Sequence, residues 1–493
     1  MRERRPLAIA AFAIALHVTL APALAAQAGL SPLEDASIAP RGLFRLRTAS
    51  VWARYDQRFA TGGLAALGAP YTADSLGVAQ LPALGTAQSL VQAAAATPFT
   101  LSLGQSHLSA MAREEHLPFM LEYGVTRRLA IAVVVPVIRK RISGLLTLDS
   151  TGSNMGPNPR RLSATATQTN GLVQTEFASA AVQLQSRLTS CTANPAGAGC
   201  PALLARQTEA QQLMQSSQLF ATTVGSLYGT SAATGQAFVP RAQSAAQAAI
   251  AARVADFNLK YKDLLVSASN ILTAIPVGAA GAVGTADVEG YVSGDLGRDS
   301  LATNEVYGVG DVELGFKYLA IDHAIHGGDG AVRLALASSV RFPSGSREAP
   351  VGVADLRIGD GAFGFDARAI LELRRGRWEL IGASTLTFVG SGAAPATNDT
   401  RRIALDLAPQ WHLSAPLAIH GAYSLRTADV SGSTQLVGGG VSFTTVNARS
   451  AGSRPLPMEM RYSHLETARG DAGAAKFTRD QLEVRIYYQP RGR

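Results

Sequence analysis

Charged residues are scarce in this chain: Asp, Glu, Lys and Arg make up 16% of its 493 positions, against roughly 25% in soluble globular proteins. Beyond the N-terminal region no apolar run reaches the roughly 18 residues that a membrane-spanning helix needs. Ile271 to Val283 comes nearest, and Pro276 and several glycines interrupt it. No Gly-x-Ser-x-Gly elbow, His-Glu-x-x-His metal helix or Gly-x-x-x-x-Gly-Lys phosphate loop occurs. Gly308-x-Gly310 lacks the third glycine of a dinucleotide fingerprint. The sequence therefore argues against an enzyme and implies no cofactor.

Cysteine is limited to Cys191 and Cys200, nine apart around a Pro-Ala-Gly-Ala-Gly stretch that can turn the chain back. In an oxidising compartment they are expected to pair. A metal or redox dithiol would want closer spacing or nearby histidines, so no metal site is expected. His323 and His326 read as solvated turn residues. Lysine is rare as well, since 39 of the 44 basic residues are Arg. The formal net charge of +8 is scattered, which argues against a nucleic-acid partner. Planar guanidinium groups do suit lipopolysaccharide phosphates.

What is present begins with an export signal. Arg2, Arg4 and Arg5 precede an apolar run from Pro6 to Leu20, followed by Ala23-Leu24-Ala25 and Ala26-Gln27-Ala28. This is the layout of a cleaved signal peptide over residues 1–25, and it leaves 26–493 as the mature chain.

From Ala331 onward the apolar positions recur with a period of two, as in strands whose two faces meet different surroundings. Leu482, Val484, Ile486 and Tyr488 fall on one face, and Gln481, Glu483, Arg485 and Tyr487 on the other. A soluble sandwich would also alternate. Segments of ten or more residues with Tyr or Trp near an end favour tilted transmembrane strands. The predicted strands are 43–58, 110–123, 128–141, 309–320, 331–342, 362–373, 377–389, 401–412, 417–427, 435–446, 456–466 and 477–488. The expected fold is thus an all-β membrane protein, an antiparallel transmembrane β-barrel of about 12 strands. The even count returns the C-terminus to the periplasm.

Residues 143–307 break the pattern and read as an inserted loop with a helical hairpin, in which Phe177, Ala181, Leu184 and Leu188 share a helical face. Parity puts it on the extracellular side, as a cap, a plug or a partner-binding element. Residues 60–109 hold an Ala-rich run and a short candidate strand from Phe99 to Leu103.

Two stretches, Tyr123 through Arg127 to Val135-Pro136-Val137 and Gly308 through Asp311 to Tyr318, resemble the outer-membrane transporters of the meta-pathway phenol degradation family. The first strand from Phe44 to Phe59 and the hairpin at Arg374 to Arg377 fit the same layout. The resemblance implies passage of small, often hydrophobic or aromatic, molecules across the outer membrane. The chain departs from it in the size of the insertion, and in a tail beyond Tyr488 where assembly machinery would read a terminal aromatic.

The expected partners are the lipid bilayer, lipopolysaccharide, the barrel-assembly machinery and a small-molecule substrate. The expected lumen lining is Glu313, Lys317, Arg333, Arg341, Asp366, Arg368, Glu372, Arg402, Asp406, Glu459, Arg461, Glu483 and Arg485, opposite charges that set selectivity or simply satisfy one another. About twelve strands make a narrow barrel, which favours a small-molecule conduit over a general porin. The alternative is a surface-exposed adhesion or partner-binding protein that uses the barrel as an anchor.

Overall fold

The computed structural model describes residues 34–488 apart from 160–162, 232–233, 299, 326–329, 346–357, 360, 391–400, 429–431, 446–456 and 473. The leader expected over residues 1–25 and His326 lie outside the described residues. The chain forms two compact units.

The first unit, residues 1–67, 109–145 and 302–493, is a closed antiparallel β-barrel. Its strands begin with β1 (Phe44–Ala60), β2 (Gly63–Ala66), β3 (Gln105–Gly124) and β4 (Leu129–Asp149); β5 (Met155–Pro157) and β6 (Phe238–Pro240) belong to the second unit. The barrel resumes with β7 (Asn304–Val309), β8 (Val312–Ile325), β9 (Gly330–Phe342), β10 (Gly364–Arg375) and β11 (Trp378–Val389). It ends with β12 (Arg401–His412), β13 (Leu417–Ala428), β14 (Gly432–Thr444), β15 (Met458–Gly470) and β16 (Ala475–Tyr488).

Neighbours in sequence pair from β8 to β16, β8 pairs with β4, β4 with β3, and β3 with β1. Closure comes from β16 pairing with β1, in register from Phe44 opposite Tyr488 to Arg58 opposite Ala475. β7 and β8 both lie along β4, at Val137–Ile142 and Leu129–Val134 respectively, so they share one place in the wall. β2 folds back on the end of β1. The wall therefore has twelve strands among the described residues. Tight turns close one end: Gly376 supplies the positive φ of 58° between β10 and β11, and Leu413 N–H bonds Leu417 O between β12 and β13.

The wall is apolar outside and charged inside. Leu46, Phe316, Leu336, Leu407 and Ile419 are each 43–51% exposed, while Arg45, Gln481, Glu483 and Arg485 are 1–3% exposed. Water as the outer solvent would penalise so extended an apolar face, whereas a bilayer favours it. Aromatic pairs mark both margins of this band. Phe44 packs on Tyr123 (4.8 Å) and Trp378 on Trp411 (4.3 Å) at the tight-turn end, and Phe342 on Phe363 (5.9 Å) at the other. No described helix is long and apolar enough to cross a membrane.

The second unit comprises residues 68–108 and 146–301 and is larger than the expected hairpin. Helices Ala164–Ala193, Gln207–Tyr228 and Ala245–Leu265 pack together, joined by Gly85–Ala95. Phe177, Phe220 and Phe257 meet at centroid distances of 5.3–5.6 Å. The buried face of the first helix runs through Ala180, with Ala181 only half-buried. Phe99 to Leu103 is not a strand. The expected limits of 143 and 307 also shift, because β4 continues to Asp149 and β7 starts at Asn304.

Cys191 and Cys200 form a disulfide with a Cα–Cα distance of 5.0 Å. It ties the end of Ala164–Ala193 to the start of the short helix Cys200–Ala205. For so short a loop, chain entropy assigns it about 2–3 kcal/mol. The C191S/C200S variant is expected to lose that much stability in the helical unit, read by helical circular dichroism in urea, while heat-modifiable migration of the barrel stays unchanged.

Candidate functional site

The buried face of the barrel brings the expected charged residues into contact, mostly across strands. Directly opposed residues on neighbouring strands are about 5 Å apart, closer than second neighbours along one strand. Arg341 reaches Glu313 on β8 and Asp366 on β10, both at 3.1 Å. Arg333 bonds Glu372 at 2.9 Å and Asp322 at 3.1 Å. Glu483 and Arg485 do bond along β16, at 2.6 Å, and Arg485 also approaches Glu459 at 3.4 Å. Asp406 is buried near mid-strand, and Arg402 is half-buried at the start of β12. His323 sits in β8 rather than in a turn.

The largest cluster, however, is organised by a segment without regular structure. Residues 34–40 precede β1, and they lie inside the barrel unit with Glu34, Asp35, Ala36 and Ala39 all buried. Ala36 is fully buried against Ala335, Ile370, Ile381, Ala383 and Ala408.

Glu34 pairs with Lys317 (3.2 Å), Arg47 (3.8 Å) and Arg368. Asp35 pairs with Arg461 (2.9 Å) and Arg485, and its carbonyl accepts from Lys317 Nζ at 2.6 Å. Ser37 Oγ accepts from Arg45 Nη1 at 2.9 Å, and Glu122 Oε1 accepts from Ala39 N–H at 2.6 Å. Arg45 and Glu122 form a bonded pair in the wall at 2.5 Å.

Burial alone would raise the Glu34 and Asp35 carboxyl pKa values. The surrounding cations outweigh it, Lys317, Arg368 and Arg47 for Glu34 and Arg485 and Arg461 for Asp35, and hold both well below the usual carboxylate range. Both groups are thus anionic at neutral pH, where their pairs are complete.

Beside Glu34 lies a cavity lined by Glu34, Arg341, Asp366, Arg368, Arg402 and Arg426, among others. Five carboxylates and five cations line it, and Glu34 is one of the five carboxylates. Met120, Ala130, Val134 and Ala337 give it an apolar side.

Sequence reasoning missed Glu34, Asp35, Arg45, Arg47, Glu122 and Arg426. Arg45 and Arg47 flank the outward Leu46 at period two, so the alternation rule would have found them. Glu34 and Asp35 carry no periodic signal.

Residues 230–451 match the family described as "Putative MetA-pathway of phenol degradation". The matched segment includes Gly308 to Tyr318, one of the two stretches that carried the resemblance, while Tyr123 to Val137 lies outside it. With its lipid-facing apolar wall, the protein is an outer-membrane β-barrel.

Among solved structures, the COG4313 outer membrane channel from Pseudomonas putida F1 is 8% identical, with 93% of this chain and 100% of that chain covered and a TM-score of 0.43. The Pseudomonas putida toluene transporter TodX is 10% identical over 95% of each chain, at 0.26. The translocator domain of the autotransporter NalP from Neisseria meningitidis is 6% identical over 91% and 89%, at 0.27. At such scores the fold rests on the strand pairing above. No curated protein matches the chain.

Proposed function

We propose that the protein is an outer-membrane channel for small hydrophobic or aromatic molecules, shut in this conformation by residues 34–40. The observation that carries the reading is the barrel interior itself. The cations around Glu34 and Asp35 come from β1, β8, β10, β15 and β16, so the segment is held from several sides of the wall at once. A barrel serving only as an anchor has no need of a tethered segment inside it. The charged residues expected from the sequence would line the path once the segment withdraws. The family match supports the same substrate class.

In this reading residues 1–25 are removed on export, which places Glu34 close to the new N-terminus. Tyr488 at the end of β16 supplies the aromatic signal read by the assembly machinery. Arg139 and Arg141, exposed in β4 and paired with Glu305, are suited to lipopolysaccharide phosphates.

Single-channel recording of the refolded protein in planar bilayers tests the reading. The wild-type protein is expected to conduct rarely. The E34Q/D35N variant is expected to show at least a tenfold higher open probability. A variant that refolds, inserts and stays silent would leave the barrel as an anchor for its helical unit.

A further inference from the structure

The segment that fills the barrel also shows what the barrel is built to hold. Two carboxylates on adjacent residues are met by Arg47, Lys317, Arg368, Arg461 and Arg485. All five cations have side chains no more than 13% exposed, and Arg485 is 2% exposed. Cations this buried are costly to leave without an anion. When the segment withdraws, Lys317 loses the carboxylate that it pairs with, and Arg368 loses Glu34.

We infer that the solute this barrel accepts is a small carboxylate with a compact apolar body, and that Glu34 and Asp35 sit in its place as a tethered surrogate. The inference rests on the channel reading and narrows its substrate class.

The cavity beside Glu34 offers room for such a solute. It shares Lys317 and Arg368 with Glu34, and it adds Arg341, Arg402 and Arg426. A carboxylate in this cavity lies beside Lys317 and Arg368, the cations held by Glu34. Its apolar body meets Met120, Ala130, Val134 and Ala337. The balance of five carboxylates to five cations becomes four to five once Glu34 leaves, so the vacated lumen favours an anion. Tethering gives the surrogate a local concentration in the millimolar range, so a free carboxylate displaces it only when abundant.

The probes are benzoate and benzyl alcohol, which share a ring and differ in charge. In E34Q/D35N channels, benzoate is expected to block ion current at a concentration at least tenfold lower than benzyl alcohol. Chloride permeability relative to potassium is expected to rise severalfold over wild type. Adding K317Q and R368Q should weaken the benzoate block about tenfold and leave the benzyl alcohol block unchanged.

Equal potency of the two probes in a conducting channel overturns the carboxylate inference and leaves the channel reading standing. A protein that never conducts overturns the channel reading. Calorimetric titration of benzoate and benzyl alcohol into detergent-solubilised wild-type protein then judges carboxylate binding separately. A preference of tenfold or more for benzoate supports it, and no preference overturns it.

Discussion

Replacing Arg485 by alanine is expected to destabilise the barrel by about 3–5 kcal/mol, the usual cost of removing one partner from a buried ion pair. Arg485 is 2% exposed and bonds three carboxylates: Glu483 at 2.6 Å, Glu459 at 3.4 Å, and Asp35. Alanine would remove one of the cations at Glu483, leaving its bond to Arg47 at 2.9 Å, and would weaken the hold on Asp35. The loss should appear as a lower urea midpoint in vesicles and as greater protease sensitivity of residues 34–40. Unchanged values on both measures would show that the cluster does not anchor the segment. The R485K variant is expected to recover part of the loss, because a point charge replaces a planar fork that bonds several carboxylates.

The second large effect lies on the opposite face. Leu407 is mid-strand in β12 and 46% exposed. L407R is expected to cost about 2–4 kcal/mol of folding stability in lipid vesicles, as for arginine at a bilayer midplane. Leu417, at the tight-turn end of β13 and on the outer face, is 38% exposed. L417R should cost only about 0–1 kcal/mol, since a side chain there reaches the interface. Equal penalties at the two positions would mean that the exposed apolar face is not graded by membrane depth.

The wall was largely legible because its cause is local. Lipid on one side and a polar interior on the other impose a period of two, and that period needs no knowledge of which strand pairs with which. Expected segments such as 401–412 and 377–389 therefore fall close to β12 (Arg401–His412) and β11 (Trp378–Val389). The pattern faded where strands run on beyond the apolar band. The expected 128–141 stopped short of Asp149, because at Arg139 and Arg141 the outward positions turn charged while Ile138 and Ile142 are buried, so the apolar face no longer points outward. The segment 60–109 had no account for a related reason. Its residues 68–108 join the helical unit, through contacts that no local periodicity announces.

The sequence by itself determined the period-two strands, their even count and the charges on the inner face, since each follows from a residue and its near neighbours. Only the tertiary structure decided that Glu34 and Asp35 lie among those charges. Their bonds to Lys317, Arg368 and Arg485 span 283, 334 and 450 residues. Electrostatic pairing in a closed barrel acts through space, and the partners become neighbours only when β16 meets β1.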